Sequence, residues 1–380
     1  TRRRRPAADP LRPRAEWPLV PLSTDGPPPR YDFRTGLPDA GLFPFDAWRR
    51  LVAAELRPGA VHAEPTGHPA LRAAIARYLG YSRGLSAVAD EVIVTNGAQH
   101  ALDLIGRVLL RPGDVVAVEE PGYPPARRLF ASLGARVVGV PMDAEGLIVD
   151  ALPGAARLVY ATPSHQFPLG RAMSLTRRRE LLAWAARRPA AIVEDDYDSE
   201  FRYSARPLEP LFNLDTAGRV LYVGTFSKSM LPSVRTGFTL VPPGLRDAVV
   251  AARQAGDGYG QPAMQAALAR FIEDGLLARH VRRAGKAYAA RHARIVEVLS
   301  GLPGLTLVPS AAGLHVTALS DGPTGRVVAD ARARGVGVED LARYQESSIA
   351  AGFVFGFGAI DPARLDEGLA IFADALARHS

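Results

Sequence analysis

The chain has 380 residues, of which 47% are apolar and 22% charged, a composition that supports a large buried core and excludes a disordered, fibrous or very small protein. The sequence contains no cysteine, which excludes disulfides, thiolate metal sites, iron–sulfur clusters and cysteine nucleophiles. No apolar run approaches the roughly 18 residues of a membrane helix, and no signal-peptide pattern opens the chain, so we expect a soluble cytoplasmic protein with no membrane partner.

The positive charge is concentrated at the N-terminus. Residues 1–14 hold six Arg and one Asp, or +5 of the net +7, which leaves +2 for the rest of the chain. The body of the protein is therefore not expected to present a broad nucleic-acid-binding surface. Residues 1–30 are rich in Pro and Arg and lack apolar periodicity, which predicts a linker or arm.

From residue 31 onward, short Val-rich runs alternate with helical patterns. Leu71, Ile75 and Leu79 recur at intervals of four, which predicts an amphipathic helix. Seven apolar runs follow: EVIVT, DVVAVEE, ARVVGVP, RLVYATP, AAIVEDD, RVLYVGT and GFTLVP. Near-continuous apolar runs separated by helical crossovers are typical of a parallel sheet covered on both faces. The sequence therefore predicts an α/β fold with a mostly parallel, seven-stranded sheet.

The last part of the chain suggests a second, smaller α/β domain. A helical pattern runs from Pro262 to about Leu299, short strand-like runs follow, and a last helix is expected from Pro362 to Ala377. We predict an arm at residues 1–30, a large ligand-binding domain at 31–262, and a connecting helix with a small domain at 263–380. The first residues of the large domain are candidates for packing against the small one.

Residues that follow the predicted strands are the candidate site, because open parallel sheets bind ligands at the carboxyl ends of their strands. No P-loop, dinucleotide-binding, zinc-hydrolase or nucleophile-elbow motif is present. Gly97 and Ala98, just before Gln99, permit close approach of a ligand, and the free amides of the helix that follows suit a phosphate; an ordinary strand-to-helix turn is the alternative. Tyr123 either stacks on a flat ligand or closes a core edge.

In the run AAIVEDDYDSEF, a predicted buried strand ends in four carboxylates, those of Glu194, Asp195, Asp196 and Asp198. In a strand, Asp195 and Tyr197 share a face because side chains alternate with a period of two. A carboxylate and a phenol would then face one ligand edge together. The alternative is a solvated acidic loop that holds a magnesium ion.

Lys228 and Lys286 are the only lysines among 46 basic residues. An amine can lose its proton and form an imine, which a guanidinium cannot, so a retained lysine is a candidate for such chemistry; two surface lysines kept by chance are the alternative. Lys228 stands beside Thr225 and Ser227, with Arg235 seven residues on. These neighbours suit the phosphate of an aldehyde cofactor.

An amine nucleophile, a phosphate seat, a stacking ring and a carboxylate together describe a site for pyridoxal 5′-phosphate. The ordered motifs NGAQ, EEPGY, TPSHQFPLG, EDDYDSEF and YVGTFSKSMLPSVRTG resemble the aminotransferase-type, fold-type I domain, in the version found in MocR/GabR-type transcriptional regulators. The likeness covers Arg30 to Ser380. It implies aminotransferase fold type I, pyridoxal phosphate as cofactor, and a homodimer.

The resemblance also implies individual roles. Lys228 would form the internal aldimine, Asp195 would pair with the pyridine nitrogen, and Tyr197 would hydrogen-bond the ring oxygen; these three are the candidate catalytic residues. His165 would lie near the same ring edge, and Tyr123 would stack on the ring. The remaining cofactor-binding candidates, toward the phosphate, are Gly97, Ala98, Gln99, Thr225, Ser227 and Arg235. No metal is expected.

Two departures from the family pattern bear on function. Ala359 stands where an aminotransferase commonly carries the Arg that clamps the substrate carboxylate, and the winged-helix domain of the regulators is absent from this chain. We therefore expect an effector domain that senses an amine or amino acid by external aldimine formation, with DNA contacted only through that missing domain. A free-standing pyridoxal-phosphate-dependent aminotransferase is the main alternative, and an interaction protein with a degenerate site is a third.

Overall fold

The computed structural model describes residues 27–57, 64–203, 209–347 and 350–379. The expected arm lies outside these residues except for positions 27–30. Within the described ranges, no helix is both long and apolar enough to cross a membrane.

The helices follow the periodic segments of the sequence. Pro69 starts the predicted amphipathic helix at its first position, Gly84 ends it in the left-handed region with φ 66°, and Leu71, Ile75 and Leu79 are buried along it. The α-helices are α1 Phe45–Glu55, α2 Pro69–Arg83, α3 Ala98–Leu109, α4 Pro124–Ser132, α5 Leu175–Ala186, α6 Leu211–Leu214, α7 Pro243–Gly256, α8 Pro262–Glu273, α9 Leu276–Ser300, α10 Thr324–Ala333 and α11 Leu365–His379.

The strands form three sheets. They are β1 Tyr31–Asp32, β2 Val92–Thr95, β3 Val115–Glu120, β4 Arg136–Asp143, β5 Gly146–Leu147, β6 Ala156–Ala161, β7 Ala191–Asp196, β8 Val220–Thr225, β9 Gly237–Leu240, β10 Leu305–Leu307, β11 His315–Ser320, β12 Val336–Gly337, β13 Glu339–Asp340 and β14 Gly352–Gly356.

The largest sheet has the strand order β2-β9-β8-β7-β6-β3-β4-β5. All seven predicted runs become strands of this sheet, and its mostly parallel character is confirmed: β8, β7, β6, β3 and β4 run parallel, whereas β9 is antiparallel to both of its neighbours. The sheet differs from the prediction by an eighth strand. Strand β5 pairs antiparallel with β4 over two residues, too few for a recognisable apolar run.

Both faces of this sheet are covered, as its apolar runs require. Along β7, Ile192 belongs to a hydrophobic cluster that contains Leu181 of α5, whereas the next residue, Val193, belongs to one that contains Leu104 of α3. The alternation follows from the strand period of two. The sheet therefore lies between two helical layers, and its strand ends open at one edge.

The C-terminal elements form a four-stranded antiparallel sheet in the order β10-β11-β14-β13. Strand β1 pairs in parallel with β12, and Tyr31 and Phe33 belong to the same cluster as Phe353 and Phe372. The beginning of the described chain thus packs with its end. The division at residues 30 and 262 remains a prediction.

Candidate functional site

A cavity of about 740 Å³ lies where β7 and β8 end. Nine of the predicted site residues line it, although they come from four separate strand ends: Ala98, Gln99, Tyr123, Asp195, Tyr197, Thr225, Ser227, Lys228 and Arg235. Of the other two, Gly97 lies beside Arg235 at the start of α3, and His165 lies behind Tyr197. The sheet therefore brings the predicted side chains into one place.

Lys228 reaches the cavity from the turn that follows β8. Its Nζ atom donates a hydrogen bond to the carbonyl oxygen of Gly36 at 2.7 Å. Burial of the amine lowers the pKa of Lys228, and the nearby carboxylates of Asp198 and Asp195 oppose that shift. A lowered pKa enlarges the fraction of neutral amine, which is the nucleophilic form.

Asp195 lines the cavity, and only one of its two carboxylate oxygens accepts a hydrogen bond from the described residues. Its Oδ2 accepts a hydrogen bond from the Tyr160 hydroxyl at 2.7 Å, whereas Oδ1 is buried and has no hydrogen-bond partner among the described residues. Burial raises the pKa of Asp195 to about 7, and the bond from Tyr160 opposes the shift. A buried acceptor without a partner is costly, so this oxygen fits a donor such as a protonated ring nitrogen.

The Tyr197 hydroxyl lies 3.0 Å from Nδ1 of His165, which also lies 3.0 Å from Oδ1 of Asp198. On the other side of the ring, Nε2 lies 3.0 Å from the Ser310 hydroxyl. His165 thus contacts the tyrosine hydroxyl instead of lining the cavity. Its expected place at the cofactor's edge remains a prediction.

His315 packs against His165 with ring centroids 4.7 Å apart, and its Nε2 contacts the Pro168 carbonyl at 2.9 Å. Burial lowers the pKa of His315 to about 3. Potential ligand atoms of His165, Asp198 and His315 lie within 4.8 Å of one another. The expectation that no metal binds here is still a prediction.

The start of α3 forms a seat for an anion. Gly97 precedes the helix with φ 86°, and a Cβ there would lie 3.6 Å from Nη1 of Arg235. Arg235 is held by a 2.9 Å bond from Nη2 to the Asn96 carbonyl, and Thr225 donates to Ser227 at 3.0 Å. Helix amides, two hydroxyls and a guanidinium together fit a phosphate group.

Gln99 adds a second unpartnered acceptor beside this seat. Its Nε2 donates to the Pro125 carbonyl at 2.8 Å, and its Oε1 is buried with no hydrogen-bond partner among the described residues. The residues of the cavity therefore fit pyridoxal phosphate at its ring nitrogen, at its phosphate and at its aldehyde, with which the Lys228 amine can react.

The acidic run does not form the solvated magnesium loop that was the alternative interpretation. Glu194, Asp195, Asp196 and Asp198 are all buried. Two of them face arginines instead: Asp196 lies 2.6 Å from Arg83, and Glu194 lies 3.6 Å from Arg178.

Several lining residues were not predicted from the sequence. They are Thr35, Gly36 and Leu37 near the N-terminal end, Arg128 on α4, and Leu314, His315, Arg343 and Tyr344 in the C-terminal part. These positions carry no local motif, and all of them except Arg128 come together because the two ends of the described chain pack against each other. Ala359, where a clamp Arg was sought, is half-buried in the turn after β14.

Residues 36–332 match the family model described as aminotransferase class I and II. The chain is 39% identical over 357 residues to the probable rhizopine catabolism regulatory protein MocR of Rhizobium meliloti, a match that covers 90% of this chain and 71% of that protein. It is 36% identical over 354 residues to the HTH-type pyridoxine biosynthesis transcriptional regulator PdxR of Corynebacterium glutamicum, covering 92% and 77%.

Among solved structures, the fold is similar to the kynurenine aminotransferase of Pyrococcus horikoshii, which was crystallised in complex with PMP. The TM-score is 0.83 at 28% sequence identity, covering 91% of this chain and 90% of that one. The architecture predicted from the sequence, aminotransferase fold type I, is therefore confirmed.

Proposed function

The chain belongs to the class I and II aminotransferase family, in the form that MocR-type transcriptional regulators carry, and from this premise we propose that it is the effector-sensing domain of such a regulator. Its cofactor would be pyridoxal 5′-phosphate and its effector an amine or amino acid. The observation that carries the proposal is the meeting of Lys228, Asp195 and the anion seat in one cavity.

Pyridoxal phosphate, when bound, supplies an electron sink for amino compounds. Lys228 would offer its amine, whose lowered pKa favours the neutral form. Asp195 would hold the proton of the ring nitrogen at its unpartnered Oδ1, and Tyr197 would orient the ring oxygen. Tyr123 would cover the ring, while the start of α3 with Arg235 would bind the phosphate. Arg235 adopts φ 48°, a costly conformation for a residue other than glycine, at this same seat.

Support for a regulator over an enzyme comes from two directions. The curated relatives named above are transcriptional regulators, of which this chain spans 71% and 77%. Ala359 stands where the family resemblance places the carboxylate clamp, and without a fixed substrate geometry a displacement of about 1 Å can cost roughly a hundredfold in rate. A site of this kind would bind an amine and use the binding energy to shift a conformational equilibrium.

A free-standing aminotransferase is the second candidate. Arg128 and Arg343 line the cavity together with Arg235, and either could bind a substrate carboxylate in place of the missing clamp. The homodimer, the DNA contact through a preceding winged-helix domain, and a cytoplasmic location are part of the same proposal, and they derive from the family resemblance.

The first test uses the scarcity of lysine. Borohydride treatment of the protein with pyridoxal phosphate should fix the cofactor on Lys228, as shown by peptide mapping, and Lys228→Ala should lose the label. Lys286, the other lysine, is exposed and serves as the internal control. A label that falls mainly on Lys286 would overturn the assignment.

The second test separates the sensor from the enzyme. A panel of amines and amino acids should change the visible spectrum of the loaded protein without sustained formation of a keto acid. Multiple turnovers at ordinary enzyme rates, on the order of 1 per second, would favour the aminotransferase.

A further inference from the structure

The segment from Phe33 to Asp39, called the strap here, forms one wall of the cavity. Thr35, Gly36 and Leu37 line it, and the Gly36 carbonyl accepts the 2.7 Å hydrogen bond from Nζ of Lys228. No other hydrogen bond of that amine is found among the described residues. The reactive lysine therefore touches a segment 192 positions earlier in the chain.

A side chain at Gly36 would meet the end of the Lys228 side chain. The φ of Gly36, 77°, lies in the left-handed region, and a Cβ built there would lie 2.8 Å from Nζ of Lys228. Contacts that short require something to move. The amine thus occupies the space that any other residue at position 36 would fill.

The strap is anchored to the C-terminal elements on its other side. The Phe33 carbonyl accepts from the Gly356 amide at 2.7 Å, the Thr35 amide donates to Glu339 Oε2 at 3.3 Å, and the Asp39 amide donates to the Tyr288 hydroxyl at 2.8 Å. A Cβ at Gly356 would overlap the strap's backbone, so the two segments are in close contact. The strap lies between the cavity and these anchors.

We propose that Gly36 is a positioning residue for the Lys228 amine. We also propose that the strap is more stably packed when this amine is free to donate its hydrogen bond to the Gly36 carbonyl. Pyridoxal phosphate, by engaging the amine, would loosen the strap, whereas an effector that frees Lys228 from the cofactor would let the amine bond to Gly36 again. Strand β1 precedes the strap directly, so the change would pass to the N-terminal residues of the chain. Its interpretation as a signal rests on the proposed function, but the coupling between Lys228 and the strap does not.

One direction of this coupling is measured by hydrogen exchange in cofactor-free protein. Loss of one hydrogen bond should speed amide exchange in residues 33–39 by about three- to tenfold in Lys228→Ala. Lys228→Met, which keeps the length of the side chain but has no donor, should behave alike. Lys286→Ala should match wild type. Wild-type exchange in either Lys228 variant would overturn the proposal, and folding of each variant is checked by its cooperative unfolding.

The opposite direction is measured by the reactivity of the two lysines. Trace labelling with acetic anhydride across a pH series gives the titration midpoint of Lys228 in cofactor-free protein, with Lys286 as internal standard. Gly36→Ala should lower that midpoint by about half a unit to one unit, because the ammonium form loses its carbonyl acceptor. Such a shift reports on the amine and not on folding in general.

Gly304→Ala is the matched control for backbone strain. Gly304 has φ 74°, close to that of Gly36, but a Cβ there would meet nothing within 4 Å. A midpoint that moves equally in both variants, or in neither, would overturn the role of Gly36. Such a negative result would not affect the proposed function. Conversely, a failed borohydride label on Lys228 would overturn the proposed function, but the coupling between Lys228 and the strap could still be measured.

Discussion

Buried carboxylates on the two sides of strand β7 differ in their hydrogen-bond and ion-pair partners. On the side away from the cavity, Asp196 pairs with Arg83 at 2.6 Å and accepts hydrogen bonds from Tyr222 and Ser199. Toward the cavity, Asp195 has one partner, Tyr160, and keeps one buried oxygen without any among the described residues. Neighbouring residues of one strand thus stand in opposite electrostatic situations.

This contrast distinguishes a carboxylate that stabilises the fold from one that is available to a ligand. A buried charge that is paired and hydrogen-bonded belongs to the packing of the fold, and removing one partner leaves the other uncompensated. A buried carboxylate with an unused oxygen at a cavity is destabilising until a ligand supplies the missing donor. The comparison places Asp196 in the packing of the fold and supports the proposal that Asp195 binds the ligand.

The largest expected effect is on the paired side. Asp196→Ala leaves the Arg83 guanidinium buried without its carboxylate, and should lower the free energy of unfolding by about 3–5 kcal/mol. Denaturant titration of cofactor-free protein measures it. As a matched control, Asp366→Ala breaks the exposed pair with Arg294 and should leave the free energy of unfolding nearly unchanged, because water screens exposed pairs. Similar losses in both variants would erase the distinction.

The next effect has the opposite sign and depends on pH. The folded pKa of Asp195, about 7, lies above the ordinary value of about 3.9, so the folded state binds more protons between these values. Stability from this group is therefore present below pH 4 and lost as pH rises through 7. Asp195→Asn cannot ionise, and it should gain about 3 kcal/mol on wild type between pH 5 and pH 8.

The measurement is the free energy of unfolding of cofactor-free protein at both pH values. Burial also raises the pKa of Glu119 and Glu200 to about 7, and the Asp195 carboxylate contributes to the pKa of Glu119 and of Lys228. The difference between wild type and variant therefore reports the titration of Asp195 together with these coupled neighbours. A constant difference across the range would mean that the Asp195 carboxylate is not perturbed.

The third effect compares two tyrosine hydroxyls. The Tyr222 hydroxyl donates to the buried carboxylate of Asp196, and hydrogen bonds to charged groups are commonly worth about 1.5–3 kcal/mol. Tyr222→Phe should therefore lower the free energy of unfolding by about 2 kcal/mol, with or without cofactor. A loss that disappears on adding pyridoxal phosphate would place Tyr222 with the ligand instead.

The sequence predicted the seven main strands because each is a continuous apolar run, the pattern of a strand buried on both faces. It also predicted which residues meet at the strand ends, since parallel strands share a carboxyl edge. The period of two placed Asp195 and Tyr197 on one face, but no local pattern showed that Asp196 pairs with Arg83, because Arg83 comes from a distant helix. Gly36 and Tyr344 were missed for the same reason, since no local pattern marks the packing of the chain's two ends.

The smallest expected effect is on Tyr197, the cavity-side counterpart of Tyr222. Burial raises the pKa of Tyr197 well above its ordinary value, so its hydroxyl keeps its proton throughout the working range. Tyr197→Phe leaves His165 paired with Asp198 at 3.0 Å, so no buried group loses its only partner. We expect a loss of about 0.5–1 kcal/mol in cofactor-free protein.

The cofactor should enlarge the loss in Tyr197→Phe. If the tyrosine contacts the ring oxygen, wild type gains more stability than the variant from the same concentration of pyridoxal phosphate, because ligand stabilisation grows with the logarithm of concentration over Kd. The difference between the two proteins should then widen by about 1 kcal/mol at saturation, as a contact made only with ligand requires. If the cofactor does not change the difference in free energy of unfolding between wild type and variant, then Tyr197 stabilises the fold, as Asp196 and Tyr222 do, and does not contact the ligand.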